Sequence, residues 1–452
     1  MKHPVMGFEH LHRHCSYSLL DGYGLVDEYA EYSKEVNQKF LCITDHGTMA
    51  SVPSQIKAAE EHGLTPVFGC EMYMNPLQFE AQSREENAEF RKNLPPDKQK
   101  IFDKPMHLLG IAISNEGYKN LVKLTSWGWI HGFYKKPRVS HEMLKKHKEG
   151  IIFTSTCGNS EIAWTFFNFG EEAAFEVVKK YKEWFGENFY LELMMLDWKM
   201  QTPYNEFLIR AHNKFNIPFI ISQDCHYCKK EHSLNQRLTL MVNNKRTLND
   251  IQALIDSGEA EDIFELQDKN LWMKSEDEMD EKWEKDHSES IDYEIYKQAK
   301  ANTVKICQMA ANVQIDRTLK IPSFPNDKVK LMDLIQLGIK ERNMPKTTEY
   351  MKRIKEEYEV ICDKGFASYF LMDRMIVEEA FRVCKEICGF EDSSIARGGR
   401  GSVGGSLIAY LLDLHDLDPV KHDLYFSRFL SRARGGKQMR WKQPEDLIIY
   451  PE

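Results

Sequence analysis

Short apolar runs alternate with amphipathic stretches through the first half of the chain. Residues 26–38 and 171–185 have the helical spacing of apolar positions. Six further runs have the length and apolar content of buried strands: 39–47, 65–71, 106–113, 149–157, 188–194 and 216–226. Strands that alternate with helices favour a parallel sheet, which we expect to close as a barrel in an α/β fold.

The second half of the chain has a helical and polar pattern. Ser275 followed by Glu278 predicts a capping box at the start of a helix. A Pro-containing connector is predicted at residues 318–328, followed by an amphipathic helix that Gly365 is placed to end. The apolar face of this helix is predicted to hold Met351, Ile354, Tyr358 and Ile361.

The length of 452 residues exceeds what a single core usually serves, so we expect two or three domains. We place the main boundary between residues 285 and 286. A hydrophobic content of 42% is that of a globular chain. Because the sequence has neither a long apolar run nor an apolar signal segment at its start, we expect a cytoplasmic protein without a membrane partner. The ten scattered cysteines fit reduced thiols or metal ligands better than a disulfide scaffold.

The net charge of −9 argues against an electrostatic coat on nucleic acid. One local run, residues 428–442, is nevertheless basic and contains no carboxylate. Its cations are Arg428, Arg432, Arg434, Lys437, Arg440 and Lys442. A solvated surface and a phosphate-contacting segment remain equal alternatives for this run.

Candidate metal ligands recur at the ends of the predicted strands. A His-x-His pair, His12 and His14, precedes the first predicted strand. In an extended segment the two side chains can share one face. Six further candidates lie beside the apolar runs: His46, Glu71, His107, Cys157, Asp224 and His226. His107 precedes its run, and most of the others follow theirs. Imidazoles, carboxylates and a thiolate at one rim suit two or three divalent ions, and such clusters hydrolyse phosphoesters.

The order HxH, LLDG, TDHG, GCE, H, C, DxH resembles the PHP (polymerase and histidinol phosphatase) domain, in the form that begins bacterial C-family replicative DNA polymerases, the DNA polymerase III alpha family. The resemblance implies a distorted seven-stranded (β/α) barrel and a 3′–5′ proofreading exonuclease that uses Zn, Mn or Fe. It also implies nine ligands, matched here by His12, His14, Asp21, His46, Glu71, His107, Cys157, Asp224 and His226.

Within that resemblance the nine ligands divide among three ions. One ion is held by His12, His14, Glu71 and Asp224. Glu71 bridges to a second ion on His107 and Cys157, and the third lies on Asp21, His46 and His226. His10 falls outside the set. The C-x-x-C pair Cys225 and Cys228 is also left without a function, because no second pair follows it.

A glycine-rich loop lies near the end of the sequence, in GGRGSVGGSLIAY at residues 398–410. Glycines let backbone N–H groups approach phosphate at a helix start, although a flexible linker has the same composition. Residues 364–380 and 398–430 resemble the first part of the C-family palm, an α+β domain. The resemblance implies that Gly399, Arg400, Gly401 and Ser402 contact the triphosphate of the incoming dNTP.

The family palm continues with a strand that carries two metal-binding aspartates, and PEDLIIY at residues 444–450 lacks that carboxylate spacing. We therefore expect a segment of a split or truncated polymerase that makes DNA with Mg²⁺ only beside a complementary C-terminal chain. DNA, dNTP and, through that chain, a sliding clamp and replisome components are the expected partners. A free-standing PHP phosphoesterase and a non-catalytic PHP platform are the alternatives, and a bacterial or phage origin stays open.

Overall fold

The computed structural model describes residues 7–257, 270–317, 323–390 and 401–431. The chain divides into two compact units, residues 1–315 and 316–452. Helix Tyr293–Ala310 packs within the first unit through Ile306 and a hydrogen bond from Asn302 to the carbonyl of Phe219. The compact units divide after Ile315. The domain boundary expected between residues 285 and 286 stays a prediction.

The first unit is built on an eight-stranded sheet with the order β4-β5-β2-β3-β6-β7-β8, in which β1 also pairs with β2. The six predicted strands are all present, and the short β4–β5 hairpin was not predicted. The strands are β1 Phe40–Ile43, β2 Thr65–Met74, β3 Met106–Ala112, β4 Phe133–Tyr134, β5 Lys136–Val139, β6 Ile151–Thr154, β7 Phe189–Met194 and β8 Phe219–Ser222.

The sheet is mixed rather than wholly parallel, which corrects the expected strand arrangement. β3 runs antiparallel to both β2 and β6, and β4 runs antiparallel to β5, while the remaining neighbours are parallel. The connection from β2 to β3 returns to the edge at which β2 ends, so β3 begins there. This reversal places the first residues of β3 at the same rim as the last residues of the parallel strands.

Residues 11–14 connect the two ends of the curled sheet. On one side the amide of Thr44 donates to the carbonyl of Arg13 (2.8 Å). On the other side the amide of His14 donates to the carbonyl of Cys225 (2.7 Å), and the amide of Cys225 donates to the carbonyl of His12 (3.1 Å). The HxH segment therefore lies as a connecting strand between β1 and the chain that follows β8, in agreement with an α/β barrel of the PHP type.

Helices pack around the sheet and bury their apolar faces on its outer side. The largest core cluster includes Leu108, Phe153, Phe189, Leu191 and Phe207, all at most 1% exposed. The helices are α1 Val26–Glu35, α2 Val52–His62, α3 Arg84–Asn93, α4 Pro96–Asp103, α5 Asn115–Ile130, α6 His141–Lys146, α7 Glu161–Phe169, α8 Glu171–Phe185, α9 Gln201–Phe215, α10 Ser233–Asn243, α11 Leu248–Asp256, α12 Glu276–Lys282 and α13 Tyr293–Ala310.

The capping box predicted at Ser275 is present at the start of α12, where Ser275 and Glu278 each accept the other's backbone N–H. Among the described residues, no helix combines the length and the apolarity needed to cross a membrane.

The described residues of the second unit form helices and 3₁₀ turns and contain no strand. The helices are α14 Asp327–Glu341, α15 Thr348–Asp363, α16 Ala367–Glu386 and α17 Leu407–Leu411, and the turns are Gly401–Gly405 and Phe426–Arg428. The predicted amphipathic helix is α15, with Ile354 and Ile361 buried in the core of this unit. Met351 does not join that core and is 46% exposed; in the first turn of α15 the preceding residue, Tyr350, packs against the core instead.

A buried ion pair fixes the start of α17. The carboxylate of Glu357, which is 0% exposed, accepts the N–H groups of Leu407 (2.9 Å) and Ile408 (3.0 Å). Arg353 donates to Glu357 (2.7 Å) and to the carbonyl of Gly405 (2.7 Å). Because every one of these groups is paired, the turn at 401–405 and the helix behind it are held by α15.

We predict that Glu357→Ala destabilises the second unit by about 3–5 kcal/mol, since it leaves a guanidinium and two amides without their buried partner. Urea unfolding and amide hydrogen exchange at Leu407 and Ile408 measure the loss. Glu379→Ala, which removes an exposed partner of Arg382, is the control and should change stability little. Equal stability of the two variants would contradict this account of the ion pair.

Candidate metal centre

All nine residues predicted as ligands meet at one rim of the curled sheet. Each lies within 3.7 Å of at least one other member of the set. They come from the connecting segment, the loop after it and the rim ends of β1, β2, β3, β6 and β8: His12, His14, Asp21, His46, Glu71, His107, Cys157, Asp224 and His226. Because β3 is antiparallel, its second residue, His107, joins this rim although it precedes its apolar run.

His12, His14, Glu71 and Asp224 form the most deeply buried part of the cluster. The Nε2 atoms of His12 and His14 are 3.1 Å apart, and each lies 3.3 Å from Asp224 Oδ1. Glu71 contributes Oε1 at 3.4 Å from His12 Nε2 and Oε2 at 3.3 Å from His14 Nε2. Ligand atoms of His12, His14 and Glu71 therefore lie close enough for one ion, with Asp224 beside the two histidines.

The partners of the Nδ1 atoms fix the protonation pattern of this histidine pair. His12 Nδ1 donates to Glu192 Oε1 (2.8 Å). His14 Nδ1 donates to Ser18 Oγ (3.1 Å), because the Ser18 hydroxyl proton is used on Asp45 (2.8 Å). Both Nε2 atoms thus face each other and the carboxylates. Burial would lower the pKa of His12, but Asp224, Glu192 and Glu71 raise it well above its usual value. Only a cation between them, a proton or a metal ion, makes this arrangement favourable.

His107 and Cys157 lie on the other side of the Glu71 carboxylate. His107 Nδ1 is 3.1 Å from Glu71 Oε1, and Cys157 Sγ is 3.4 Å from the same nitrogen. Cys157 Sγ is also 3.5 Å from Glu71 Oε1. One carboxylate oxygen, an imidazole and a thiol therefore converge, with Glu71 shared between this group and the His12–His14 group.

Asp21, His46 and His226 form the third group, nearest to solvent. His46 Nε2 lies 2.9 Å from Asp21 Oδ2, and His226 Nε2 lies 3.7 Å from Asp21 Oδ1. His46 Nδ1 approaches Glu71 Oε2 to 2.8 Å, so this group also adjoins the shared carboxylate. The members of each implied grouping thus lie near one another, and the division of the nine residues among three ions stays a prediction.

Two observations test whether the residues fit metal ions. His46 Nδ1, Glu71 Oε2 and Asp224 Oδ1 are buried and have no hydrogen bond of acceptable geometry within the described part of the chain. Overlapping sets of ligand atoms also lie close enough for one ion each: His12 with His14 and Glu71, His14 with His46 and His226, and His46 with Glu71 and His107. Imidazole, carboxylate and thiolate ligands suit Zn, Mn or Fe. The donor set therefore fits divalent metals.

The electrostatics of the cluster favour added positive charge. Burial alone would lower the pKa of His46 and His226, but the neighbouring carboxylates raise it to about 10 and about 9. Burial would likewise raise the pKa of Glu71, yet His107, His12 and His46 hold it well below its usual range. The carboxylates are thus anionic at neutral pH and require cationic partners.

Glu192 is a residue of the site that the sequence did not single out. It lies in the middle of the apolar strand β7, is 0% exposed, and accepts from His12, Thr154 (2.5 Å) and Ser222 (2.6 Å). Its signal in the sequence is a single carboxylate inside the buried run NFYLELM. Such a carboxylate on the second nitrogen of a ligand histidine orients the ring and raises its basicity.

Three residues near the cluster take no part in it. His10 Nε2 bonds to the carbonyl of Lys274 (2.7 Å), and its Nδ1 lies 3.4 Å from Cys225 Sγ. Burial lowers the pKa of His10 to about 3, so this ring is neutral. Cys228 is buried in an apolar cluster with Cys225.

The predicted nucleotide loop lies only partly within the described residues. Gly401, at a φ of +68°, and exposed Ser402 begin the turn Gly401–Gly405, while Gly399 and Arg400 lie outside the described residues. Of the basic run, Arg428 is exposed at the end of a 3₁₀ turn; Arg432, Arg434, Lys437, Arg440 and Lys442 lie outside the described residues, as does the PEDLIIY segment. Solvated surface and phosphate contact remain the alternatives there.

Residues 10–195 match the family described as PHP domain, and residues 329–437 match the Bacterial DNA polymerase III alpha NTPase domain. Among curated proteins, the DNA polymerase III subunit alpha of Aquifex aeolicus is 32% identical over 94% of this chain and 35% of its own length. Those of Borreliella burgdorferi and Treponema pallidum are 30% and 29% identical over 94% and 95% of this chain, and each is covered over 34%.

Among solved structures, an amidohydrolase from Chromobacterium violaceum covers 48% of this chain and 87% of its own at 11% identity, with a TM-score of 0.30, which is too low to support an argument. The chain spans about a third of the length of the curated relatives it matches. It carries a PHP domain followed by the alpha NTPase domain, and over 94% of its length it is homologous to part of DNA polymerase III alpha subunits.

Proposed function

We propose that this chain is the N-terminal segment of a DNA polymerase III alpha-like enzyme whose PHP cluster holds up to three divalent metal ions and acts as a 3′–5′ exonuclease. The observation that carries the proposal is the close approach of the Nε2 atoms of His12 and His14, 3.1 Å apart beside Asp224. Asparagine or serine side chains would satisfy such atoms in a structural core. Here only carboxylates and a further imidazole surround them, as a metal requires.

When bound, divalent ions at such a cluster supply a hydroxide and neutralise charge on a phosphodiester. The chain's own residues position them. Glu192 fixes the ring of His12, and Ser18 with Asp45 fixes the ring of His14. Glu71, 0% exposed, adjoins all three groups and is the proposed bridging ligand.

We further propose that Gly399, Arg400, Gly401 and Ser402 bind the dNTP triphosphate, with Mg²⁺, and that nucleotidyl transfer needs a complementary C-terminal chain. Support comes from the alpha NTPase match at residues 329–437 and from relatives about three times as long. DNA, dNTP and, through that chain, a sliding clamp and replisome components are the proposed partners in the bacterial cytoplasm. A phosphoesterase for small monoesters and a non-catalytic platform are the alternatives, and each gives a different result below.

We predict that the purified chain retains up to three Mn²⁺ or Zn²⁺ ions, counted by elemental analysis after dialysis. His12→Ala should lose the ion of the His12–His14 group. Glu192→Gln should weaken metal affinity by about 10–100-fold, because it removes the carboxylate that orients His12. Glu161→Gln, at a buried carboxylate bound instead to His141 and Lys180, is the matched control. Metal content that is unchanged in His12→Ala would exclude this arrangement.

The metal-loaded chain should remove nucleotides from the 3′ end of single-stranded DNA. Asp224→Asn or His12→Ala should reduce this rate by at least about a hundredfold, since both remove a ligand of the same group. His62→Ala, at a surface histidine outside the cluster, should retain the rate. Gel analysis of 5′-labelled oligonucleotides measures the loss. Activity on small phosphate monoesters alone supports the phosphoesterase, and metal binding without any hydrolysis supports the platform.

Polymerisation should require two chains. Alone, this chain should extend no primer, because a triphosphate-binding loop without the catalytic aspartates does not activate the 3′ hydroxyl. Mixed with the complementary C-terminal polypeptide it should make DNA, and Arg400→Ala or Ser402→Ala should then raise KM for dNTP or lower kcat. Primer extension by this chain alone, or full activity of the complementary polypeptide without it, contradicts the proposal.

A further inference from the structure

The candidate metal centre opens to solvent at Asp21. The Asp21 side chain is 27% exposed, against 12% for His107, 11% for Asp224 and 8% for His46. Asp21, which lies 2.9 Å from His46, is therefore the most exposed of these side chains. The side chains around Asp21 and His46 are in a position to contact a substrate that approaches the cluster.

Two exposed leucines adjoin the Asp21 end of the pair. The loop that carries them is tied to the cluster by the amide of Tyr23, which donates to the carbonyl of His226 (2.8 Å). Leu19 is 80% exposed and Leu20 is 44% exposed. Leu20 has a φ of +60°, a conformation that a leucine rarely adopts. The loop thus holds the apolar residue Leu20 in an unfavourable backbone conformation, next to the proposed ligand Asp21. Such strain concentrates at functional sites.

An exposed tryptophan adjoins the His46 end of the pair. The indole N–H of Trp129 donates to the carbonyl of Gly47 (2.9 Å), the residue after His46. Trp129 is nevertheless 49% exposed. The hydrogen bond fixes the ring edge while much of the indole surface remains open to solvent.

Cationic groups accompany these apolar surfaces. The Phe133 ring lies 5.5 Å from that of Trp129, and the guanidinium of Arg84 lies 3.9 Å from the Phe133 ring. Lys136 Nζ lies 5.2 Å from the ring of Tyr73, which stacks 5.6 Å from His46. Aromatic and apolar surfaces with interspersed cations match a nucleobase and its phosphates, and are the combination that single-stranded nucleic acid prefers.

We propose that Leu20 and Trp129 form a base-binding rim that holds an unpaired nucleobase at the 3′ end of a single-stranded nucleic acid beside the metal centre. The inference rests on the proposed exonuclease function and names its substrate. A base inside a duplex has both faces covered by its neighbours, so contact with Leu20 or Trp129 requires a base that has left the stack. Frayed or mismatched ends meet this requirement at the lowest cost.

The test measures binding separately from hydrolysis. In the Asp224→Asn background with Mn²⁺, fluorescence anisotropy of a labelled single-stranded oligothymidylate should show about tenfold weaker binding for Trp129→Ala and for Leu20→Gly. Glycine accepts the positive φ of residue 20, so Leu20→Gly removes the side chain without backbone strain. Ile130→Ala, at a neighbour that is 67% exposed, should bind as tightly as its parent. An oligonucleotide with a 3′-terminal abasic site should bind the parent and both variants equally.

Trp129→Phe separates base stacking from support of Gly47. It keeps an aromatic face but loses the hydrogen bond, so binding should return nearly to the parent level with metal content unchanged. If Trp129→Phe is as defective as Trp129→Ala, or if neither Trp129→Ala nor Leu20→Gly weakens binding, the rim is wrong. The proposed rim is also contradicted if the chain binds no oligonucleotide and a protein binds at this surface instead. If the wild-type chain hydrolyses no DNA but still binds the oligonucleotide through Trp129, the proposed exonuclease function is overturned and the base-binding rim is retained.

Discussion

The first unit depends on one electrostatic constraint, the enclosure of two imidazole lone pairs by carboxylates. His12 and His14 point Nε2 at each other across 3.1 Å because Glu192 and Ser18 occupy their Nδ1 atoms. Both side chains are 0% exposed, so water cannot relieve the repulsion. The fold stabilises this pair only with positive charge between them. A proton on His12 or the proposed metal ion supplies this charge.

The same two residues lie on the segment that joins the ends of the sheet. Its hydrogen bonds to Thr44 and Cys225 align the histidines with the rims of β1 and β8. The proposed metal binding and the barrel connection therefore share residues 11–14, and we expect bound metal ions to stabilise the barrel. Conversely, a loosened barrel would separate ligands that are far apart in sequence, such as His12 and Asp224.

Eight of the nine proposed ligands were found from the His-x-His pair and the ends of the apolar runs, whereas Asp21 came only from the resemblance to the PHP domain. The six apolar runs became strands, and the nine proposed ligands meet at one rim. The antiparallel direction of β3 was not predictable, since an apolar run carries no sign of its direction; His107 looked misplaced for this reason. Glu192 was missed because an isolated carboxylate in a strand reveals its role only through the tertiary contact with His12. Met351 was assigned to the apolar face of α15, yet the residue of that turn that packs against the core is Tyr350, and Met351 is 46% exposed.

The most direct test of the account is an anomalous-difference map from crystals grown with Mn²⁺. We expect a peak at about 2.0–2.3 Å from both His12 Nε2 and His14 Nε2, the range of metal–ligand bonds to nitrogen and oxygen. Asp224 and Glu71 should complete that site, with His12 Nδ1 still on Glu192. A map without a peak between these two Nε2 atoms in saturating Mn²⁺ would contradict the central claim.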